Sequence, residues 1–450
     1  MGKKRSLGRM SKKRSLGKYL VVLAIVAVAG LSGVYFWYAE GEMPVVRGLP
    51  EGSKISPDTV IQLQVTDAKS GLRFVRVTAA QEKQEQVLIE ESFSQPNQSW
   101  ERELTLAQAD LSEGLVRLQV EAKDQSWSNW LQGNTRTEEA SYEFDSQPPR
   151  ISMESFEHNV RQGGAGVAAF RVSEPVSRAG VQIDDFFFPA YAQSEDLYLC
   201  FFSFPFSLRP QEGQLQVKAV DQAGNVSRAG FHHYINPGGF DQSHLQITEG
   251  FLQNVIVNFQ EDFPNQDSLL DVFLAVNREL RKENRSELRK IGLQTDTAPL
   301  WSGRFLRQPN ASREAHFGTH RKYVYQGQVI DEQTHLGIDL ASIARAEVPA
   351  ANSGKVVFAD WMGIYGQVVI LDHGLGLQSL YAHLSQMSVH KGDAVDKGQI
   401  IGRTGATGLA GGDHLHFGML VSGVPVNPVE WWDGSWITNN VTSKLSLIDE

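Results

Sequence analysis

The sequence predicts a mainly β protein with one apolar helix near its N-terminus and one amphipathic helix ahead of a glycine-rich C-terminal region. Residues 19–38 run twenty positions without a charge. From there to about residue 236 the chain is built of short apolar and polar alternations separated by turn residues, the pattern of half-buried antiparallel strands. Beyond Trp301, glycine turns punctuate runs rich in Val and Ile, and no long helical period appears. The 450 residues and 41% hydrophobic content suit about three packed domains.

The formal net charge of −10 hides an asymmetry. Eight of the 42 Lys and Arg residues lie in residues 1–18, which hold no acid, leaving 34 basic against 52 acidic residues, or −18, for the remainder. An acidic body argues against nucleic acid as a partner. Cys200 is the single cysteine, so no intramolecular disulfide is available and an exported chain must rely on its cores or on a metal. Its context, "LYLCFFSF", reads as a buried small hydrophobe.

Residues 1–18 form a basic arm in which "KKRSLG" occurs at 3–8 and again at 12–17. The uncharged run 19–38 that follows would span roughly 30 Å as a helix, the thickness of a bilayer core. Lys and Arg before the run place the N-terminus in the cytoplasm and the remainder outside, with Tyr35–Tyr38 at the interface. Ala27-Val28-Ala29 offers a small-x-small cleavage site, but the apolar run continues well past it. The expectation is therefore an uncleaved single-pass anchor in a bacterial inner membrane, with the body of the chain periplasmic.

"TVIQLQVTD", "GLRFVRVTA", "GLVRLQVEAKD" and "GQLQVKAVD" are strands by their alternation. Two of them nearly repeat: "LQVEAKDQ" at 118–125 and "LQVKAVDQ" at 215–222 lie 97 residues apart, about the length of one β-sandwich. "DSQPPRI" falls between the copies, and its two prolines suit a stiff link. These segments resemble bacterial immunoglobulin-like modules, whose last strand often closes in an "AVDQAGN"-type turn. The resemblance implies two sandwiches, 45–147 and 148–236, that act as spacers or bind an envelope protein partner.

The segment 237–300 reads as a linker carrying a helix over Asp267–Ile291. Leu269, Phe273, Val276 and Leu280 recur every three to four residues, Ser268 and Asp271 suit a capping box, and Gly292 supplies a stop. Its expected role is a connector packed on a neighbouring sheet.

In the C-terminal region "THLGIDLAS" sets His335 and Asp339 four residues apart around Gly337, on an extended or turning backbone where both side chains can converge. "GGDHLHFG" adds His414 and His416, which share one strand face while Leu415 and Phe417 take the other. Two imidazoles and a carboxylate make a three-ligand zinc set with a fourth position for water, and the HLH pair can complete it.

The region resembles the zinc metallopeptidases of the lysostaphin and LytM family. The resemblance runs from about Trp301 to Trp436 and is carried by "HLGIDLA", "SGKVVFADWMGIYGQVVILDHGLG", "LYAHLS", "GDAVDKGQIIGRTGATG", "HLHFG" and "GVPVNP". It implies an antiparallel β metallopeptidase domain over 301–436 with one Zn2+, held by His335, Asp339 and His416. His383 and His414 would be the two non-ligand catalytic histidines. It further implies hydrolysis of peptide bonds in peptidoglycan stem or cross-link peptides. Family members with eroded sites act as amidase activators, so a non-catalytic peptidoglycan-binding scaffold or activator is the alternative; here all five positions are filled.

The remaining histidines read differently. His373 falls at a structural strand end, His316 and His320 lie in an approach segment with ligand-like spacing, and His232 and His233 close the second sandwich. Where many relatives have Gly-Pro before HLH, this chain has Gly-Asp, and alternation turns Asp413 away from His414.

Overall fold

The computed structural model describes residues 13–82 and 84–448. A helix over Lys13–Tyr38 contains one stretch, Lys18–Tyr38, long and apolar enough to cross a membrane, and none of that stretch is buried against the rest of the chain. Residues 1–12 of the expected basic arm lie outside the described residues.

The chain divides into two compact units: residues up to Gln147 together with Gln222–Asn225, and Pro148–Asp221 together with Val226–Glu450. In the first unit a five-stranded sheet is ordered Lys54–Ile55, Thr135–Phe144, Gly114–Asp124, Leu72–Gln81, Gln84–Asn97, and a three-stranded sheet Val45–Arg47, Ile61–Thr66, Ser99–Leu104. Alternate residues of these strands, among them Leu63, Val65, Val75, Val77, Leu118 and Val120, form its core with Trp100.

The second unit opens with two four-stranded sheets. Their strands are Tyr191–Ala192, Leu197–Ser203, Ala165–Val172, Ile151–Met153 in one and Phe186–Pro189, Val176–Ile183, Leu215–Asp221, Val226–Gly230 in the other. Cys200 is fully buried, and burial pushes its thiol up to about 12. The near-repeat of sequence is a repeat of register: Leu118, Val120 and Ala122 in one copy and Leu215, Val217 and Ala219 in the other point inward from a strand flanked on both sides.

The sheet with the most strands in this unit is antiparallel. Its order is Ser312–Ala315, Ile338–Ala341, Leu415–Val421, Leu377–Leu384, Gln367–Asp372, Gly354–Trp361, Ala394–Val395, with Val424–Val426 added beside Leu415–Val421. Its central strands are buried along almost their whole length because both faces are covered. Val369, Leu371, Tyr381, Phe417 and Met419 join a core that continues into the preceding β segment, where Phe201 packs 6.1 Å from Trp431. Val368, Ile370, Leu380, Ala382 and Leu420 face a second core built with Leu252, Ile256, Phe273, Val276 and Leu288. Each fully buried Val, Leu, Ile or Phe side chain among them contributes about 1.5–3 kcal/mol.

Those last residues come from the segment expected as a linker. Ser268 accepts from the Asp271 N–H and donates to its carboxylate, starting the helix where the capping pattern placed it. The helix runs as Leu269–Ala275, a π turn Val276–Leu280, and Arg281–Ile291. The π turn leaves the Asn277 carbonyl open to the Gln333 side chain at 2.9 Å. Gly292 keeps a right-handed φ of −59°, so its role is not a left-handed cap. A methyl group there would meet Gly423 N at 2.1 Å, and its absence lets the helix end press onto the turn after Leu415–Val421. A further strand, Gln242–Gln246, pairs in parallel with His320–Tyr325.

Candidate metal centre

Ile338–Ala341 runs antiparallel to Leu415–Val421 with Asp339 directly opposite His416. Leu415 and Phe417 point into the core on one face, so alternation sends His416 to the face it shares with Asp339. His335 arrives from the turn just before, where its N–H donates to Thr319 O at 2.9 Å. His335 Nε2 lies 3.0 Å from Asp339 Oδ1, His416 Nδ1 lies 2.9 Å from that oxygen, and the two nitrogens are 3.1 Å apart. The other carboxylate oxygen, Oδ2, accepts from Arg321 at 2.8 Å.

The donor set fits a cation. His335 Nδ1 donates to the His316 carbonyl at 3.0 Å, which leaves Nε2 as the lone-pair nitrogen of a neutral ring. That lone pair faces a carboxylate oxygen and a second imidazole. Burial disfavours an imidazolium here: it pushes His416 down to about 4. Burial also works against charge on Asp339, but the histidines around it outweigh burial and hold its carboxyl well below the usual range. Two imidazole nitrogens and a carboxylate oxygen, buried and all within 4.8 Å of one another, form a cluster compact enough for one positive ion to be held among them. Two imidazole nitrogens and one carboxylate oxygen match a three-ligand zinc site. Space is reserved as well, because a methyl group on Gly337 would lie 2.4 Å from His416 Nε2.

His383 and His414 stand beside this cluster with ring centroids 4.9 Å apart. Alternation alone would turn His383 away, since its neighbour Ala382 already faces the same side as His416. A register shift in the Gln367–Asp372 and Leu377–Leu384 pair, with His383 at φ 61°, turns its ring back; a β-bulge re-aims a side chain in this way. His383 Nδ1 donates to Thr407 O and His414 Nδ1 to Gly412 O, both at 2.8 Å. Each ring therefore keeps Nε2 for the groove. His414 Nε2 is 3.6 Å from Asp339 Oδ1. Burial pushes His383 down to about 3; burial acts the same way on His414, but the contact with Asp339 outweighs it and raises its pKa.

Residues 333–428, which hold all five of these side chains, match the family model described as Peptidase family M23. The C-terminal domain is a Peptidase family M23 domain. This chain is 42% identical over 95 residues to the DD-carboxypeptidase/endopeptidase Mpg of Neisseria meningitidis, covering 21% of this chain and 22% of that protein. It is 36% identical over 107 residues to the murein hydrolase activator EnvC of Escherichia coli, covering 24% and 26%. Among solved structures, the catalytic domain of lysostaphin from Staphylococcus simulans is 30% identical with a TM-score of 0.23, covering 27% of this chain and 92% of that one. The chain thus spans about a quarter or less of the length of the curated relatives it matches.

The M23 centre opens into a groove of about 610 Å3 lined by His335, Asp339, His383, His414 and His416. Part of its wall comes from outside the matched stretch, including Asp241, Ile247, Phe273 and Arg281. Tyr365 lies against His416 with ring centroids 5.6 Å apart, and its turn is clamped by Asn284 Oδ1, which accepts from Ile364 N at 2.9 Å. His373 is internal, bonded to Ser353 O and Ser379 Oγ. His320 pairs with Glu332, while His316 pairs with Asp241 at the groove edge and supports His335 through its carbonyl. Asp413 turns away to Thr404 and the Arg345 N–H. Arg321, Tyr365 and Arg281 had no signal in the sequence, because each reaches the groove from a different element.

Proposed function

We propose that the M23 domain is a zinc endopeptidase that cleaves peptide bonds in peptidoglycan stem or cross-link peptides. The observation that carries this reading is the grouping of all five polar residues in one groove, with His383 and His414 turning Nε2 toward it beside the three-ligand cluster. A protein that only binds peptidoglycan, or activates a separate amidase as the relative EnvC is named for, needs no such pair.

His335 Nε2, Asp339 Oδ1 and His416 Nδ1 would hold the zinc. When bound, zinc supplies Lewis acidity toward the scissile carbonyl and a water whose pKa is about 7. The chain's own residues do the rest. In hydrolysis the water oxygen forms a bond to the carbonyl carbon, the carbon–nitrogen bond breaks, and the proton lost by water passes to the leaving amine. His383 and His414 divide that traffic, one accepting the proton and the other, protonated, donating to the amine or to the developing oxyanion. Thr407 O and Gly412 O fix both rings so that no reorientation is needed as charge moves.

The helix ending at Tyr38 serves in this reading as an inner-membrane anchor with the N-terminus in the cytoplasm and the catalytic domain in the periplasm. The two β segments at 45–147 and 148–236 serve as immunoglobulin-like spacers that reach toward the wall and offer a surface to an envelope partner. Digestion of purified sacculi by the full chain in detergent, with mass spectrometry of the released muropeptides, tests the activity. Zinc should support it and a chelator abolish it. Undigested sacculi in the presence of zinc, or digestion by Asp339→Ala equal to wild type, would overturn the reading.

A further inference from the structure

One wall of the groove carries a cation, Arg281, that makes no ion pair among the described residues. Arg281 begins the helix Arg281–Ile291 directly after the π turn and lines the same groove as Asp339, His383 and His416. Its guanidinium donates to the neutral Asn277 Oδ1 at 2.8 Å, while its Nε is buried with no hydrogen-bond partner. One turn on, half-buried Arg285 has another neutral partner, Gln333 Oε1, at 3.4 Å. Burial, then the neighbouring Arg281, lowers the Arg285 pKa, so the two charges oppose one another. The nearby carboxylate of Asp331 is taken by Arg278 at 3.3 Å and Asn277 at 2.9 Å. Arg321, the groove's other arginine, is bound to Asp339.

A guanidinium whose buried Nε–H is unpaired and which has a like charge nearby holds positive charge that an anion in the groove would stabilise. Its planar fork matches a carboxylate, which it can grip through two parallel hydrogen bonds. Tyr365, nearly buried, stands in the groove against His416, and Arg281 lines the same groove, so the cationic wall and the candidate metal cluster share it. A peptide laid across the metal centre would bring the groups flanking its scissile bond to that wall. We infer that Arg281, backed by Arg285, is a carboxylate-binding subsite that selects peptides bearing a free carboxylate near the bond to be cut. Specificity would then be supplied by the helix ahead of the matched M23 stretch. The inference rests on the peptidase reading for its substrate, but not for its binding chemistry.

The test separates the two. Binding of a stem tetrapeptide, and of the same peptide with every carboxylate converted to carboxamide, is measured by calorimetry on the zinc-loaded full chain in detergent, on Arg281→Gln and on Arg281→Lys. Wild type should prefer the free acid by about tenfold to a hundredfold, the range of a hydrogen bond to a charged group. Arg281→Gln should lose that preference while binding the carboxamide as wild type does. Arg281→Lys, which keeps the charge without the fork, should retain part of it and serves if the glutamine variant does not fold. Equal binding of both peptides by wild type, no binding of either, or an unchanged preference in Arg281→Gln overturns the subsite. Sacculus digestion is followed in parallel: a preserved acid preference without digestion sinks the peptidase reading and leaves the subsite standing, and digestion without the preference does the reverse.

Discussion

Arg321 and Asp339 divide one carboxylate between two tasks: Oδ2 accepts from the guanidinium at 2.8 Å, while Oδ1 faces His335 and His416 at 3.0 and 2.9 Å. A carboxylate pinned at one oxygen presents the other in a fixed direction, and its charge is held even though burial opposes it. Arg321 comes from the strand that Gln242–Gln246 extends, so the segment ahead of the M23 match helps set the candidate metal cluster.

Arg321→Ala should therefore weaken zinc binding without removing a ligand. Loss of a group that orients a metal ligand typically costs about 10–100-fold in metal affinity. Titration of the metal-free protein against a competing chelator measures this. Affinity within twofold of wild type would show that Asp339 needs no such support.

Gly337 tests the cradle. A methyl group there meets His416 Nε2 at 2.4 Å and Phe417 O at 2.9 Å, so Gly337→Ala must displace the ring or the strand. Overpacking of this kind costs about 1–3 kcal/mol, and zinc occupancy should fall with it. Gly434→Ala, where nothing lies within 4 Å of the added methyl, should leave both unchanged. Thermal unfolding and metal analysis of the two variants make the comparison; equal behaviour would remove the steric argument.

His335, Asp339, His414 and His416 were legible in the sequence because their relation is local: a four-residue spacing around a glycine, and a period-two pair on one strand. The paired "LQVEAKDQ" and "LQVKAVDQ" strands were legible for the same reason, since alternation alone decides that Leu, Val and Ala turn inward. His383 was visible through its motif, but not its direction, which depends on a bulge and a left-handed φ that alternation does not predict. Arg321, Tyr365 and Arg281 were out of reach. Each is an ordinary polar or aromatic residue in its own segment and acquires meaning only when a strand, a turn and a helix far apart in sequence close around the same groove. The helix over 269–291 shows the same limit: its period and cap were readable, but not that it would cover the face bearing the metal centre.

His383→Ala and His414→Ala should separate chemistry from metal binding. Neither residue belongs to the three-donor cluster, so zinc stoichiometry should stay at the wild-type value while sacculus digestion falls by about 10²–10⁴-fold, the usual contribution of a positioned acid or base. Asp339→Ala should lose both together. Digestion by His383→Ala at the wild-type rate would remove that residue from the mechanism.

Glu430 predicts a pH dependence of stability unconnected to the metal. Its carboxylate accepts from the Ala165 N–H at 3.0 Å and lies tightly against Gly164. Burial pushes its pKa from 4.5 up to about 8, with the Ala165 hydrogen bond and Arg161 opposing. Between those values the folded protein keeps a proton that the unfolded chain has released. Stability from this group is therefore fully present below pH 4.5 and is lost progressively as pH rises through 8. The total is on the order of a few kcal/mol. Glu430→Gln keeps the shape and the acceptor oxygen but cannot ionise, so its melting temperature should match wild type near pH 5 and exceed it increasingly toward pH 9. Melting curves of the two proteins that stay parallel across that range would show that Glu430 ionises without cost where it sits.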